Sequence, residues 1–138
     1  MTSERVNKII LIADDCELNR DILALYFGGG PFEVLLAEDG HQAVDIAITQ
    51  SPDVILMDMQ MPVMNGFDAT KAIRLHEQKE NKPPVVIISI SGLESASEKE
   101  EIFQAGCTDL IVKLVRKNVL LEKINKYLTE NVPNTVVG

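Results

Sequence analysis

The sequence is poor in cysteine and in aromatic side chains, and this scarcity excludes several classes of protein. Its 138 residues include two cysteines, Cys16 and Cys107, and no tryptophan. Two cysteines are too few for the disulfide framework on which small secreted domains depend. We therefore expect both to be reduced thiols in a cytosolic protein.

Positive charge is also scarce. The chain has 13 lysines and arginines against 21 aspartates and glutamates, which gives a formal net charge of −8. Nucleic-acid backbones and anionic membrane surfaces are both bound mainly through Lys and Arg. The composition therefore predicts neither nucleic acid nor a membrane as a partner.

Long apolar runs are missing as well. No run approaches the roughly 20 residues that a membrane-spanning helix needs. The N-terminal "MTSERVNK" is polar and leads directly into a short apolar segment, so we expect no signal peptide. The length is that of one domain, long enough to bury a hydrophobic core. Without a predicted signal peptide or membrane span, we predict a cytoplasmic location.

Two features that can mark ligand sites have simpler interpretations here. His41 and His76 have no cysteine or second histidine nearby, so we expect solvated surface residues rather than zinc ligands. The "GGGP" at 28–31 follows a predicted helix and precedes a predicted strand, and it lacks a lysine. Because a phosphate loop follows a strand and opens a helix, this segment is predicted to be a helix-ending turn.

Five short runs rich in Val, Ile and Leu are predicted to be β-strands. They mostly do not alternate with polar residues, as expected of strands that are buried on both faces. Segments with helical spacing lie between them. This alternation predicts a doubly wound parallel sheet with helices on both faces. The predicted strands are 8–13, 32–37, 53–57, 85–90 and 109–112.

Apolar stripes and capping residues indicate where the helices lie. Helix starts are marked by Asp39 and by Ser97, which is followed three residues later by Glu100 as in a capping box. Residues 129–138 lack periodicity and are predicted to be a disordered tail. The predicted buried stripes are Leu18-Ile22-Leu25, Ala43-Ile46-Ala47 and Leu120-Leu121-Ile124-Leu128.

Three aspartates end two of the predicted strands. Asp14 and Asp15 follow the first strand, and Asp58 follows the third. In an open α/β sheet, ligands bind at the carboxyl ends of the strands, where the strand order reverses. In a 2-1-3-4-5 order the three carboxylates would share one crevice. At about 4 Å and an effective dielectric of about 20, each pair would repel by roughly 4 kcal/mol. Mg²⁺ would remove that cost and accept a phosphate oxygen as a further ligand, so a Mg²⁺ site is predicted.

A hydroxyl and an ammonium group end two more strands at this edge. The fourth strand ends in "SISG" and the fifth ends at Lys113. Beside a metal-loaded aspartate, these groups would neutralise and hydrogen-bond a phosphoryl group. Asp58 is then predicted to be a nucleophile that is transiently converted to an acyl phosphate. Each residue alone has a simpler interpretation as a cap, a turn residue or a solvated lysine, and only their joint placement favours a site.

Four segments together resemble a known family. They are "ILIADDCELNRDIL", "DVILMDMQMPVMNGFDA", "VVIISISG" and "AGCTDLIVK". They resemble the receiver domain of two-component response regulators, especially receivers of phosphorelays and hybrid histidine kinases. The resemblance covers roughly residues 6–128, so 1–128 are interpreted as the domain. It implies a flavodoxin-like (βα)5 fold with strand order 2-1-3-4-5.

The resemblance also implies a function and partners. It implies a phosphorylation-controlled signalling switch that is not an enzyme and at most assists its own phosphorylation and dephosphorylation. The implied phosphoryl donor is a histidine kinase or a histidine phosphotransferase. The downstream protein is unknown.

The resemblance assigns roles to the acids and to the lysine. It implies that Asp58 is the phosphoacceptor. Asp15, Asp58 and the main-chain carbonyl of Gln60 are implied to bind Mg²⁺ directly. Asp14 is implied to contribute through water, and Lys113 to contact the phosphoryl group.

A hydroxyl of the fourth strand is implied to contact the phosphoryl group as well. Ser89 and Ser91 lie two residues apart and so point to the same face of the sheet. Ser91 is closer to the end of the strand and is followed by Gly92, as in the hydroxyl-then-small-residue pair of the family. We therefore choose Ser91, with Ser89 as the second choice.

The sequence departs from the family pattern at two positions. Leu114 follows Lys113, where the family usually has a proline in a cis bond. A cis bond to a non-proline residue costs about 3 kcal/mol, so a trans bond is expected. Leu110 stands where the family usually has an aromatic residue that moves inward on phosphorylation, so that rotamer switch is unavailable.

Three other functions can be compared with this interpretation. A flavin-binding flavodoxin would need a hydroxyl- and glycine-rich loop where this chain has "ADDCEL". A phosphatase of the haloacid-dehalogenase type would need a second aspartate where Gln60 stands. The alternative that remains is a receiver-like interaction module that works without phosphorylation, which Leu110 and Leu114 support.

Overall fold

The computed structural model describes residues 7–92 and 95–130, and these form one five-stranded parallel sheet with five helices. The strand order is β2-β1-β3-β4-β5, which confirms the doubly wound, flavodoxin-like fold predicted from the sequence. Each strand begins and ends within one residue of its predicted bounds. The elements are β1 (Lys8–Ala13), α1 (Glu17–Tyr26), β2 (Phe32–Ala37), α2 (Gly40–Gln50), β3 (Val54–Asp58), α3 (Gly66–Lys79), β4 (Val86–Ser91), α4 (Ala96–Ala105), β5 (Asp109–Val112) and α5 (Lys117–Glu130).

The register of the sheet brings four strand ends to one edge. Ala13, the last residue of β1, pairs with Met57 of β3. Asp58 of β3 pairs with Ile90 of β4, and Ser91 pairs with Val112 of β5. Because the strands are parallel, the residues that follow them emerge at the same edge of the sheet.

The sheet buries side chains on both of its faces, as the continuous apolar strands predict. One core cluster joins the sheet to α2, α3 and α4, and includes Leu11, Ile55, Met57, Ile87, Ala43, Ile73 and Ile102. The other joins the sheet to α1 and α5, and includes Ile10, Ile12, Leu56, Ile88, Leu23, Phe27, Leu120 and Ile124. The predicted stripes of α2 and α5 contribute to these clusters and are confirmed. With both faces covered by helices, the carboxyl edge of the sheet is left for a site.

The predicted buried stripe of α1 is wrong. Leu18, Ile22 and Leu25 are 65%, 40% and 74% exposed, whereas Leu23 and Phe27 are buried against the sheet. The helix carries two apolar stripes, and its spacing alone does not distinguish the inward one from the outward one. The path of the chain between β1 and β2 decides which stripe meets the sheet.

Two helix-capping predictions have different outcomes. Asp39 caps α2 as predicted, because its carboxylate accepts a hydrogen bond from the N–H of Gln42 at 2.8 Å. Ser97 does not cap α4. The capping residue is Ser95, whose hydroxyl accepts from the N–H of Glu98 at 3.1 Å. Both serines satisfy the sequence pattern for a cap, and the extended backbone at Ser95 decides between them.

The ends of α1 and α5 bear on two further predictions. The "GGGP" segment follows α1 as a turn, and Gly29 has a φ of 80°, which glycine adopts without steric cost. The turn prediction is confirmed. Helix α5 continues to Glu130, two residues into the predicted tail. The remainder of the tail, 131–138, lies outside the described residues.

The isolated cysteines and histidines are placed as follows. Cys16 is exposed and Cys107 is buried, and both are free thiols, as predicted. His41 is exposed, but His76 is half-buried, and its Nε2 is buried without a hydrogen bond in the described residues. The prediction of a solvated side chain is therefore wrong for His76, which lines a groove together with Ile48, Pro52 and Pro83. None of the helices in the described part of the chain combines the length and apolar character that a membrane span requires.

Candidate functional site

Three aspartates meet at the carboxyl edge of the sheet, as the strand order predicts. Asp14 and Asp15 follow β1, and Asp58 ends the neighbouring β3. Each of the three offers a carboxylate oxygen within 4.8 Å of the others. Asp14 and Asp58 are buried, and Asp15 is exposed. We call this cluster, Asp14, Asp15 and Asp58, the acidic rim.

Local backbone contacts orient two of these carboxylates. Asp14 Oδ1 accepts a hydrogen bond from the N–H of Cys16 at 2.9 Å. Asp58 Oδ1 accepts from the N–H of Gln60 at 3.1 Å. Each bond runs from a residue two positions further along the chain, the local geometry that aspartate favours at a turn. The carboxylates are therefore held in place before any ligand binds.

The acidic rim makes ionisation of Asp58 unfavourable. Burial raises the pKa of the Asp58 carboxyl, and the nearby charges of Asp14 and Asp15 raise it further. The hydrogen bond from Gln60 and the charge of Lys113 lower it only in part, so the pKa remains above its ordinary value. A bound cation would reverse this balance, because it favours the charged form of every carboxylate around it.

Lys113 lies on the other side of Asp58. Its Nζ is 3.6 Å from Asp58 Oδ1, and its side chain is 36% exposed. Its main-chain N–H donates to the carbonyl of Ser91 at 2.8 Å, which joins the ends of β4 and β5. The ammonium group thus lies beside the predicted nucleophile and remains accessible to a ligand.

The trans bond expected after Lys113 is wrong, because the Lys113–Leu114 peptide bond is cis. The backbone on both sides of it is held by tertiary contacts. The N–H of Lys113 is bonded to Ser91, and the hydroxyl of Tyr26 donates to the carbonyl of Val115 at 2.9 Å. Local preference alone predicts trans, and contacts between distant segments are not visible in that preference.

Ser91 and Ser89 have different environments. Ser89 is fully buried, and its hydroxyl has no hydrogen-bond partner among the described residues. Ser91 is 3% exposed and lines a cleft of about 600 Å³ together with Asp58 and Lys113. Its placement favours Ser91 over Ser89 as the hydroxyl that contacts a ligand beside Asp58.

The cleft contains residues that the sequence analysis did not identify. Phe67, Glu98 and Glu101 line it, together with Gln60, which the resemblance already implied. Ser91 Oγ donates to Glu98 Oε2 at 3.0 Å. The separation of seven residues between these two, across the β4–α4 connection, corresponds to no local motif and carries no signal in the sequence.

The loop between β3 and α3 is held by close backbone packing. The N–H of Gly66 donates to the carbonyl of Met59 at 3.1 Å, and the N–H of Gly40 donates to that of Met64 at 2.9 Å. A Cβ at position 66 would collide with the main-chain oxygen of Asp58, and one at position 40 with that of Met64. Glycine is therefore required at both positions to hold the segment that contains Gln60 against the acidic rim.

Leu110 is half-buried and packs against the core cluster on the side of α2, α3 and α4. It pairs with Ser89 of β4. Because residue 110 is a leucine, the strand has no aromatic side chain here that could change between an inward and an outward rotamer. Leu114, the other departure from the family pattern, is 94% exposed.

The acidic rim can hold a hard divalent cation. It is the one group of described side chains that brings three potential ligands from His, Cys, Asp or Glu within reach of a shared ion. Its donors are all carboxylate oxygens, the ligands that Mg²⁺, Mn²⁺ and Ca²⁺ prefer. The raised pKa of Asp58 is the electrostatic cost that such an ion would relieve. The residues present therefore fit a metal ion of this class.

The sequence and fold match known proteins. Residues 10–125 match the response regulator receiver domain family. The chain is 35% identical over 118 residues to "Hybrid signal transduction histidine kinase E" of Dictyostelium discoideum. That match covers 85% of this chain and 7% of the kinase, so the chain spans a small part of this relative.

Two solved structures are similar over nearly the whole fold. One is the co-crystal structure of the Saccharomyces cerevisiae histidine phosphotransfer signaling protein Ypd1 and the receiver domain of its downstream response regulator Ssk1. It has a TM-score of 0.87 and 26% identity, and covers 96% of this chain and 97% of that one. The other is the receiver domain of the sensor histidine kinase PA1611 of Pseudomonas aeruginosa, with magnesium coordinated in its active-site cleft. It has a TM-score of 0.79 and 29% identity, and covers 89% of this chain and 98% of that one. Together with the family match over residues 10–125, these likenesses show that the chain belongs to the response regulator receiver domain family.

Proposed function

We propose that the chain is a phosphorylation-controlled signalling switch that accepts a phosphoryl group from a histidine onto Asp58 in the presence of Mg²⁺. The observation that carries this proposal is the placement of the buried Asp58 carboxylate. It lies between two further carboxylates on one side and the Lys113 ammonium group on the other, in a cleft that a phosphoryl group can enter. A purely structural aspartate would be surrounded by donors instead.

The proposed chemistry is a transfer between two nucleophiles. A carboxylate oxygen of Asp58 forms a bond to phosphorus while the bond from phosphorus to the histidine ring nitrogen breaks. The nitrogen keeps the electron pair of the broken bond and takes up a proton, which regenerates histidine. Lys113 neutralises charge on the phosphoryl oxygens, and the Ser91 hydroxyl donates a hydrogen bond to one of them. Attack by water on phosphorus later releases phosphate and restores the carboxylate.

The acidic rim would hold the metal ion. Asp15, Asp58 and the main-chain carbonyl of Gln60 would bind it directly, and Asp14 would bind it through water. When bound, Mg²⁺ neutralises the acidic rim and the incoming phosphoryl oxygens. Two observations support this assignment: the three carboxylates lie within 4.8 Å of one another, and a similar receiver carries magnesium in its active-site cleft.

The proposed donor is a histidine kinase or a histidine phosphotransferase. The support is the family itself, the kinase relative of which this chain matches one segment, and the similar receiver crystallised with a phosphotransfer protein. The domain is proposed to be a phosphoacceptor rather than an enzyme. The cytoplasmic location and the absence of nucleic-acid and membrane partners stay predictions.

Incubation with a small phosphodonor and Mg²⁺, followed by intact-mass measurement, tests the proposal. We expect one phosphoryl group on the wild type and none on Asp58→Asn. Labelling should be lost when the metal is chelated. Label that persists on Asp58→Asn would place the acceptor elsewhere. A wild type that is never labelled would favour the receiver-like interaction module, for which the 94% exposed Leu114 would then be the first candidate contact.

A further inference from the structure

The hydroxyl that is proposed to meet the phosphoryl group already has a partner in the unphosphorylated protein. Ser91 Oγ donates to Glu98 Oε2 at 3.0 Å, and Ser91 is almost completely buried. A carboxylate is a stronger acceptor than a neutral oxygen, so this is a charge-assisted bond. The Ser91 hydroxyl is therefore already hydrogen-bonded before any ligand binds.

The start of α4 aims Glu98 at this hydroxyl. Ser95 caps the helix and accepts from the N–H of Glu98, which places Glu98 at the third helical position. An acid in the first turn is favoured by the partial positive charge of the helix N-terminus. In a common capping box the carboxylate at this position turns back to its own cap residue. Here one of its oxygens, Oε2, reaches across to β4 instead.

Glu98 also faces the place where the new charge would arise. It lines the same cleft as Asp58 and Lys113. A phosphoryl group on Asp58 would bring about −1.5 to −2 charges and strong acceptor oxygens into that cleft. Glu98 would be repelled by this charge, whereas the Ser91 hydroxyl would gain a competing acceptor. Both effects act in the same direction, away from the bond between Ser91 and Glu98.

We infer that Glu98 is a positioning residue that holds the Ser91 hydroxyl in the unphosphorylated state, and that phosphorylation of Asp58 moves this hydrogen bond from Glu98 to a phosphoryl oxygen. The inference rests on the proposed function. No covalent bond changes, because one hydrogen bond breaks and another forms. The first turn of α4 loses this hydrogen bond to β4. The change therefore reaches α4 without an aromatic side chain at position 110. A contact that differs between two states is what allows a ligand to shift their populations.

Binding of the phosphoryl mimic beryllofluoride with Mg²⁺ gives the first test, on the full chain. Glu98→Ala removes the competing acceptor and should tighten binding about tenfold, the equivalent of one hydrogen bond to a charged group. Glu98→Gln removes the charge but keeps a neutral carbonyl acceptor, so it should tighten binding by a smaller factor. Glu101→Gln is the matched control, since Glu101 is exposed, lines the same cleft and changes the charge equally. It should tighten binding much less. Equal gains at positions 98 and 101, or no gain at 98, would overturn the inference.

A second test needs no phosphoryl mimic, and so separates this inference from the proposed function. Urea midpoints would be compared for Ser91→Ala, Glu98→Ala and the double variant without metal. If the two side chains are bonded, the shift of the double variant should fall clearly short of the sum of the two single shifts. Additive shifts would overturn the inference even if Asp58 is phosphorylated. Non-additive shifts in a protein that is never labelled would instead support the bond between Ser91 and Glu98 and contradict the proposed function, and with it the transfer of that bond to a phosphoryl oxygen.

Discussion

Two groups of acids in this fold have opposite surroundings. The acidic rim, Asp14, Asp15 and Asp58, places like charges together and raises the pKa of Asp58 mainly through burial. The paired acids, Glu77 and Asp109, are instead surrounded by donors. Glu77 binds Arg74 through both carboxylate oxygens, at 2.9 and 3.1 Å, and accepts from the N–H of Val85.

Asp109 shows the contrast in its pKa. Burial raises the pKa of its carboxyl, but the hydrogen bonds from Tyr127, Lys123 and the N–H of Leu110 outweigh burial and leave it below its ordinary value. The Tyr127 and Lys123 contacts measure 2.7 and 2.9 Å. The paired acids thus stabilise the fold as they stand. The acidic rim costs stability until a ligand compensates it, which marks it as a site.

The largest expected effect comes from breaking a paired acid. Glu77→Ala should lower the free energy of unfolding by about 3 kcal/mol, because Arg74 and the N–H of Val85 lose a buried charged partner. Urea unfolding followed by circular dichroism would measure this. Glu80→Ala, which changes an exposed acid at the end of the same helix, should have little effect. Equal losses in the two variants would remove the contrast between paired and surface acids.

Neutralising a carboxylate of the acidic rim should stabilise the fold, in contrast to the loss of a paired acid. At pH 7 without metal, Asp58→Asn should raise the free energy of unfolding by on the order of 1–2 kcal/mol, because it removes a buried charge and, with it, the repulsion by Asp14 and Asp15. Since the folded-state pKa of Asp58 is raised, the wild type loses stability as pH rises through that pKa. The difference between the two proteins should therefore close below the ordinary pKa of aspartate, about 4. Unfolding curves over a pH series would test this, and a destabilised Asp58→Asn at pH 7 would contradict it.

In the wild type, bound magnesium should make the acidic rim stabilising instead of destabilising. An ion that binds only the folded state at ten times its Kd adds about 1.4 kcal/mol to the free energy of unfolding and raises the Tm accordingly. Thermal melts across a magnesium series would measure this. Asp58→Asn and Asp15→Asn should lose most of the gain, whereas Asp109→Asn should keep it. A gain of equal size in all variants would mean that the acidic rim does not hold the ion.

The smallest expected effect concerns a single hydrogen bond to Asp109. Tyr127→Phe should cost about 1 kcal/mol at pH 7, because it removes one donor to the carboxylate. The pKa of Asp109 is lowered on folding, so its contribution is present above the ordinary pKa and is lost as pH falls through the folded value. The difference in the free energy of unfolding between wild type and Tyr127→Phe should therefore shrink as pH falls through the folded pKa of Asp109. Tyr26→Phe, which removes a bond to the neutral carbonyl of Val115, should show no comparable pH dependence.

Much of the fold was predictable because its strands are buried on both faces. Continuous apolar runs bounded by turns and helices are a strong signal, and every predicted strand lies within one residue of its observed bounds. The helices were less predictable. The spacing of α1 fits an outward and an inward apolar stripe equally well, and both Ser95 and Ser97 fit the pattern of the α4 cap. In both cases local chemistry allowed two answers.

The order of residues along the chain is enough to predict which groups occupy the carboxyl edge of the sheet: Asp14, Asp15, Asp58, a serine of the fourth strand and Lys113. Once the strand order is known, parallel strands must bring their ends to one edge, so these residue types and that order are enough. How these groups act on one another depends on the folded arrangement of distant segments. The raised pKa of Asp58, the burial of Ser89 and the bond between Ser91 and Glu98 depend on distances of a few ångströms between segments far apart in the chain. Electrostatic energies and hydrogen bonds change steeply over such distances, and no local pattern of residues encodes them.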